Sequence, residues 1–513
     1  MQNLTEILKQ TNIFHVIEKI VIFAIIIFMP VIFVPKRFAI TFLGCDASFY
    51  VAYVGIIVLL LDCYVHKFQI NKKIKYFIFL FIAYIFFCNA IGLYCYEFNG
   101  YLTLNLIPKL DWLTYNAHLK GIDLNELLMI KIWLWLRLSK KAIFELFPIL
   151  MVPLLVFHIY KNSFEEVFYQ VRKVILIMCV FICIYSLIEV IWLKVGNKTA
   201  ESVLVTVNPF FYDPLSGTVA HLWPPLLWPN QVRSFFPEPA VFCMYASMCL
   251  PFLWSYVIER KPIQLVFPFL TFFSFLLVGS GSRGGIVVFS FQLLLLLILT
   301  FKKRNTVLYK ATIVIFLSIF LAFFINLINF KEFTSTGEFS SIEIYDSLKD
   351  YQEKNFNTIL DTKKRSNSNR LNNNLGTLRV IKEHPFLGVG NGLRSVYLME
   401  KMTEEDLQIT ELNNCTNSIR IQGPLQMDYP IVNFYTEFIV QYGLIGFLIF
   451  AFPYLLLFFT LWKKRYKILA DNQCCMTLIA FLGLLLFMFN TPVLLLGHAL
   501  MAGMLLCKVY STN

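Results

Sequence analysis

Four arginines carry the strongest chemical signal in this sequence. Arg233 sits in Arg233-Ser234-Phe235-Phe236-Pro237-Glu238-Pro239 just before an apolar run, and Arg283 in Gly279-Ser280-Gly281-Ser282-Arg283-Gly284-Gly285 between two such runs. Arg370 and Arg379 lie in a long polar stretch downstream. A guanidinium stays charged at any relevant pH and donates two parallel hydrogen bonds, the geometry that phosphate oxygens accept. Converging on one membrane face, four such cations suit a lipid pyrophosphate. A charge at a membrane junction is costly and marks a functional position by default unless it snorkels into water. The plainer readings are that Arg233 pairs with Glu238 as a loop clip and that Arg283 anchors its helix among headgroups. For Arg370 and Arg379 the structural and functional readings are evenly matched.

The elements that must hold these residues are membrane helices. The chain is 58% hydrophobic and 15% charged, with a mean hydropathy of +0.66. A hydrocarbon core about 30 Å thick needs roughly 20 apolar residues per helical span. Such runs occur near 16–34, 44–65, 76–96, 142–160, 174–195, 239–258, 263–280, 285–301, 311–329, 441–462, 473–490 and 492–509. The expected fold is therefore an all-α polytopic membrane protein of about twelve helices: a bundle of about nine spans over 1–329, a large loop over 330–430, and the C-terminal helices over 431–513. The first run lacks a signal peptide's short apolar core and small-residue cleavage site, and is expected to stay as an anchor.

The net charge of +12 does not point to nucleic acid, because the basic residues cluster in short loops between spans. Five clusters fall on one side if the spans alternate: Lys67 to Lys75, Lys161 to Lys173, Arg260 and Lys261, Lys302 to Arg304, and Lys463 to Lys467. The positive-inside rule makes that side cytoplasmic and the arginine face extracytoplasmic. Lys36, Arg37 and the basic residues of the 97–141 loop run against this assignment. Within that loop, Leu124 to Leu136 is apolar but interrupted by Glu126 and Lys131, and reads as a helix lying on the membrane surface. The twelve cysteines lie mostly in apolar runs and have no zinc-type spacing, so neither a structural metal nor an essential disulfide is expected.

In the 330–430 stretch, the Asn-rich segment Lys363 to Asn374 reads as mobile. Leu375 to Glu383 reads as a helix stopped by His384-Pro385. Phe386-Leu387-Gly388-Val389-Gly390-Asn391-Gly392 reads as a tight turn back toward the membrane, since no Walker-type lysine follows its glycines.

With these motifs in order, the chain resembles the O-antigen ligase and polymerase superfamily, enzymes that use lipid-linked saccharides outside the cytoplasmic membrane. The resemblance is carried by Arg233 to Pro239, by Ser282 to Gly285, by Arg370 followed by Arg379 to Gly392, and by Asn433 to Gly446. It covers about 230–465 by motif. The ligase branch resembles His-Asn, nine residues, then Gly-x-x-Gly; Asn433, Gly443 and Gly446 fit, but Val432 stands at the histidine position and cannot accept a proton. The resemblance therefore favours the polymerase branch.

It implies transfer of a glycan from an undecaprenyl pyrophosphate carrier onto another lipid-linked repeat unit, with inversion at the anomeric carbon. Cations at the leaving pyrophosphate would stabilise the transition state, and Arg233 and Arg283 are the expected ones. No Asp-x-Asp occurs, so arginine is expected in place of a metal and no cofactor is expected. For the base that orients the acceptor hydroxyl, Glu437 ranks slightly above Glu238, and His384 reads more readily as a turn residue. Arg370, Arg379, His384, Asn433 and Tyr435 are the expected substrate contacts. Tyr212, Trp223, Trp228 and Tyr429 receive no individual role, because interfacial belts hold the same residues. By resemblance the partners are undecaprenyl-pyrophosphate-linked oligosaccharides, membrane lipid, a chain-length regulator, a flippase and a ligase in a bacterial inner membrane; no nucleic acid is expected. A ligase acting on lipid A core or protein is the alternative. A lipid-linked sugar flippase is a third reading, for which midplane charge pairs and internal repeats are not evident.

Overall fold

The computed structural model describes residues 13–40, 43, 46–67, 71–96, 108–122, 125–212, 224–328, 349, 365–423, 428–491 and 496–510. Among them the secondary structure is helical, with no strand. Each of the twelve apolar runs contains a helix: α1 Ile13–Phe28, α2 Ala47–Val65, α3 Lys72–Cys95, α4 Glu126–Tyr160, α5 Phe164–Val190, α6 Pro239–Ile258, α7 Ile263–Gly279, α8 Arg283–Lys303, α9 Thr306–Leu327, α12 Phe434–Lys463, α13 Asn472–Phe487 and α14 Gly497–Tyr510. Between α9 and α12 lie α10 Arg365–Glu383 and α11 Arg394–Lys401. Among the described residues, eight of the apolar helices are long and apolar enough to cross a membrane. The chain is a polytopic all-α membrane protein. At its centre, nearly all of α6 is buried.

The basic loops gather on the face opposite the arginines and tie helix ends together there. Lys19 pairs with Glu166 at 2.8 Å, Lys508 with Asp471 at 2.6 Å, and Lys303 bonds Asn472 at 2.5 Å. Arg37, which ran against the charge pattern, is held on the arginine side by the Pro209 carbonyl (3.0 Å) and the Phe210 ring (4.7 Å). Among the described residues the cysteines are free thiols.

Two expectations are corrected. Leu124 to Leu136 does not lie on the membrane surface; from Glu126 onward it is the first third of α4, a 35-residue helix that rises about 50 Å and so stands proud of the bilayer. Ile130, Leu134 and Leu138 are buried there against Val380, Val389, Leu393 and Val396, while Lys131 reaches the Tyr94 carbonyl and Arg137 lies on Trp133. Apolar residues at helical spacing found a protein partner rather than lipid. The Asn-rich segment from Arg365 onward is helical, extending the predicted helix toward the N-terminus, while Lys363 and Lys364 lie outside the described residues. Its asparagines are tertiary bonds: Asn373 donates to the Pro430 carbonyl at 2.5 Å and accepts from Arg394 at 3.0 Å, and Asn369 donates to Glu411.

The glycine-rich turn docks into a break in α12. Gly443 has φ +66° and interrupts that helix. The carbonyls of Val440 and Gln441, left without helical donors, accept from Val389 N–H (2.8 Å) and Gly390 N–H (2.9 Å), and Leu444 N–H donates to the Pro385 carbonyl (2.8 Å). A Cβ at Gly388 would meet the Gln441 backbone at 2.6 Å, and one at Gly443 the Phe386 carbonyl oxygen at 2.0 Å. Only glycine lets the two backbones approach this closely, and non-helical backbone at a membrane helix is tolerable because it is buried in protein.

Candidate functional site

The segment before α6 is built around Arg233, which is 1% exposed. Its guanidinium donates to the carbonyls of Pro237 (2.9 Å) and Leu226 (2.8 Å) and to the Tyr212 hydroxyl (2.5 Å), and lies 4.9 Å from the Tyr212 ring centre. From below, the Glu189 carboxylate on α5 accepts from the backbone N–H groups of Arg233 (3.2 Å) and Ser234 (2.7 Å). Ser234 adopts φ +58°, a left-handed conformation that this anchoring sustains. The result is a rigid turn that presents Trp228, Gln231 and Glu238 to one side. The expectation that Arg233 grips a ligand directly is revised: its donors are turned inward onto the chain's own oxygens.

Arg283 occupies the first position of α8. The turn before it needs glycine at 281, where φ is +58°, and Ser282 caps the helix by accepting from Gly285 N–H at 3.3 Å. Gly285 packs so tightly on Cys243 that an added Cβ would lie 2.6 Å from its sulfur. This junction opens onto a cavity of about 520 Å³ whose walls include Trp228, Gln231, Glu238, Arg283, Arg370 and Asn490. Arg370 projects from α10, with its guanidinium donating to Asn490 Oδ1 at 2.5 Å. Glu238 is half-buried at the N-cap of α6, with Pro239 at the first helical position. The cavity thus holds two guanidinium groups, the N-terminal ends of two membrane helices, and one carboxylate. Backbone N–H groups at a helix start lack intrahelical acceptors and carry partial positive charge, so both helix ends and both arginines favour an anion.

The other expected site residues are elsewhere. Arg379 donates to the Lys401 carbonyl (3.0 Å) and pairs with Asp406 (2.5 Å), clipping α10 to the end of α11 and the residues after it. Glu437 is buried and pairs at 2.7 Å with Arg394, itself 2% exposed and bonded to the Tyr429 carbonyl (3.1 Å). Glu437 also accepts from Gln441. It is a strut between α12 and the insert and does not line the cavity, whereas Glu238 does. His384 ends α10 with its ring 5.1 Å from that of Tyr397. Asn433 caps α12 by accepting from Tyr435 N–H at 2.9 Å. Tyr435 donates to the Leu485 carbonyl (2.8 Å) and packs behind the cavity residue Phe489, their tilted rings 4.4 Å apart. Trp223 lies outside the described residues, whereas Trp228 lines the cavity and Tyr429 is buried beneath Arg394.

Three of the expected residues, Glu238, Arg283 and Arg370, therefore meet in one cavity. Sequence reasoning missed Gln231, Asn490 and Arg394; Asn490 had a signal only in its position at the end of α13, on the arginine face.

Fold and site define a polytopic membrane protein with a cation-lined cavity framed by helix starts. Residues 268–451 match the model of the O-antigen ligase family, so this segment is similar to the O-antigen ligase and polymerase enzymes. No curated protein and no solved structure matches the chain. The matched segment runs from within α7 to within α12, so it includes Arg283 and Arg370 and leaves Arg233 and Glu238 before it.

Proposed function

We propose that this protein is a surface-polysaccharide polymerase that joins undecaprenyl-pyrophosphate-linked repeat units at the extracytoplasmic face of a bacterial inner membrane. The observation that carries the reading is the meeting of Arg283, Arg370 and Glu238 in one cavity of about 520 Å³ at a membrane face. A volume of this order accommodates a pyrophosphate with its attached sugar. Arg283, Arg370 and the start of α8 hold the donor's pyrophosphate. As the anomeric carbon–oxygen bond to pyrophosphate breaks, negative charge grows on the leaving oxygens and these cations stabilise it. The acceptor's non-reducing-end hydroxyl forms the new bond from the opposite face, which inverts the centre, and its proton passes to the Glu238 carboxylate. Arg233 acts one step back, fixing the turn that carries Glu238. Val432 in place of a histidine favours polymerisation over ligation, and the basic loops on the opposite face favour a periplasmic cavity. A flippase, a chain-length regulator and a ligase are the proposed partners.

The test is surface-glycan profiling by gel electrophoresis of a strain lacking the chain, complemented with wild type or Arg283→Ala. Loss of the long ladder with retention of a single attached unit, unrescued by Arg283→Ala, is the expected result. Loss of all attached glycan while long chains accumulate on the carrier would make the protein a ligase.

A further inference from the structure

A second cluster lies on the opposite face, inside the bundle. Three helices contribute to it: Glu18 from α1, Asp62 from α2 and His158 from α4. One carboxylate oxygen from each acid and one ring nitrogen of His158 all lie within 4.8 Å of one another. Asp62 is bridged by two imidazoles, His66 Nδ1 at 2.6 Å and His158 Nε2 at 2.7 Å. Glu18 is fully buried, and neither of its carboxylate oxygens has a hydrogen-bond partner among the described residues.

Burying a carboxyl group without a partner costs several kcal/mol unless something compensates it. We propose that Glu18, Asp62 and His158 bind a divalent transition-metal ion that pins α1, α2 and α4 together. The charges balance: two carboxylates and a neutral imidazole neutralise a dication, as a low-dielectric interior requires. Mixed carboxylate and imidazole ligation suits zinc rather than magnesium. A tetrahedral ion with bonds of about 2.0 Å holds its donors roughly 3.3 Å apart, so side-chain adjustments of about 1 Å close the site. His66 supplies the outer hydrogen bond that orients the ligating Asp62. Its side chain is 40% exposed, which gives the ion an entry path from the basic face. Such a site shares no residue with the arginine cavity and has no part in the proposed transfer. The absence of a metal expected from cysteine spacing does not bear on it, because its ligands are scattered over three helices.

The experiment strips the full-length chain in detergent with a chelator and measures Zn2+ binding by equilibrium dialysis with elemental analysis. About one equivalent per chain is expected. Glu18→Gln and His158→Gln should weaken binding by more than about 100-fold, and His66→Gln by about 10- to 100-fold. Glu166→Gln, an exposed carboxylate on the same face, should leave it unchanged. A chelator-stripped wild type that takes up no more zinc than Glu18→Gln overturns the proposal and makes Glu18 a buried protonated acid. So does full binding by a folded Glu18→Gln chain, its folding checked by gel filtration.

Discussion

Arg233 and Arg283 are chemically identical side chains in different surroundings, to which the proposed function gives opposite duties, and an Arg→Lys exchange at each separates them. Arg233 donates to Pro237 O (2.9 Å), Leu226 O (2.8 Å) and Tyr212 Oη (2.5 Å) from a site that is 1% exposed. A lysine keeps the charge but cannot span three acceptors fixed around a planar fork, so one or two charge-assisted bonds are lost and their acceptors stay buried. At about 1.5–3 kcal/mol per bond, Arg233→Lys should cost about 2–5 kcal/mol of stability. Arg283 is half-exposed in the cavity, so Arg283→Lys should change stability by less than about 0.5 kcal/mol. It would remove one of two bonds to the leaving pyrophosphate and slow transfer about ten- to a hundredfold. The assay pairs thermal melting of the detergent-purified chain with glycan-ladder length at matched protein level. The expected pattern is a lowered melting point with per-molecule activity retained for Arg233→Lys, and the reverse for Arg283→Lys. An Arg233→Lys chain that melts with wild type yet makes no ladder, beside a fully active Arg283→Lys, would refute the assignment.

Gly284→Ala should imitate Arg370→Ala, because its Cβ would lie 1.9 Å from the Asn490 side chain that holds Arg370; ladder length should fall for both with melting unchanged. Glu238→Gln and Glu437→Gln should diverge. The first should lower activity at normal protein level, whereas the second leaves buried Arg394 short of its 2.7 Å partner and should cost about 3–5 kcal/mol, read as a lowered melting point. Gly443→Ala should destabilise by more than about 3 kcal/mol, since its φ is +66° and its Cβ would meet the Phe386 carbonyl oxygen at 2.0 Å. Gly446→Ala should cost less, because Gly446 has no positive φ, although its added Cβ would lie 2.6 Å from the Tyr442 Cβ, which moves only with its backbone. Thermal melting distinguishes the last two.

The helices were legible because hydropathy records what surrounds a span, and each of the twelve apolar runs contains a helix. The cavity was half legible: Arg283, Arg370 and Glu238 were found from their placement at helix junctions. Arg233 was misread because the oxygens it serves are mostly backbone carbonyls, and no residue type in a sequence announces a carbonyl. Glu437 was misread for want of its partner, since Arg394 follows a glycine turn whose docking partner lies some fifty residues further along the chain. The asparagines of α10 looked like solvated loop because composition cannot tell an amide facing water from one bonded to Pro430 or Arg394.

The position of Arg370 gives a reason for docking the described part of the insert, from Arg365 onward, near the membrane. Arg283 and Glu238 stand on bundle helices, but Arg370 stands on α10, which reaches the cavity only if the insert is docked. Docking rests on backbone bonds into the break at Gly443, on the second apolar core built on the raised end of α4, and on the Arg394–Glu437 strut. Positioning errors of about 1 Å can cost a hundredfold in rate, so this bracing has a direct chemical return. In this chain the Asn-x9-Gly-x-x-Gly pattern is accordingly architectural, with Asn433 capping α12 and Gly443 opening it to receive the insert. Valine at 432 therefore leaves that architecture intact, and under the proposed function the general-base role is given to Glu238, which lines the cavity.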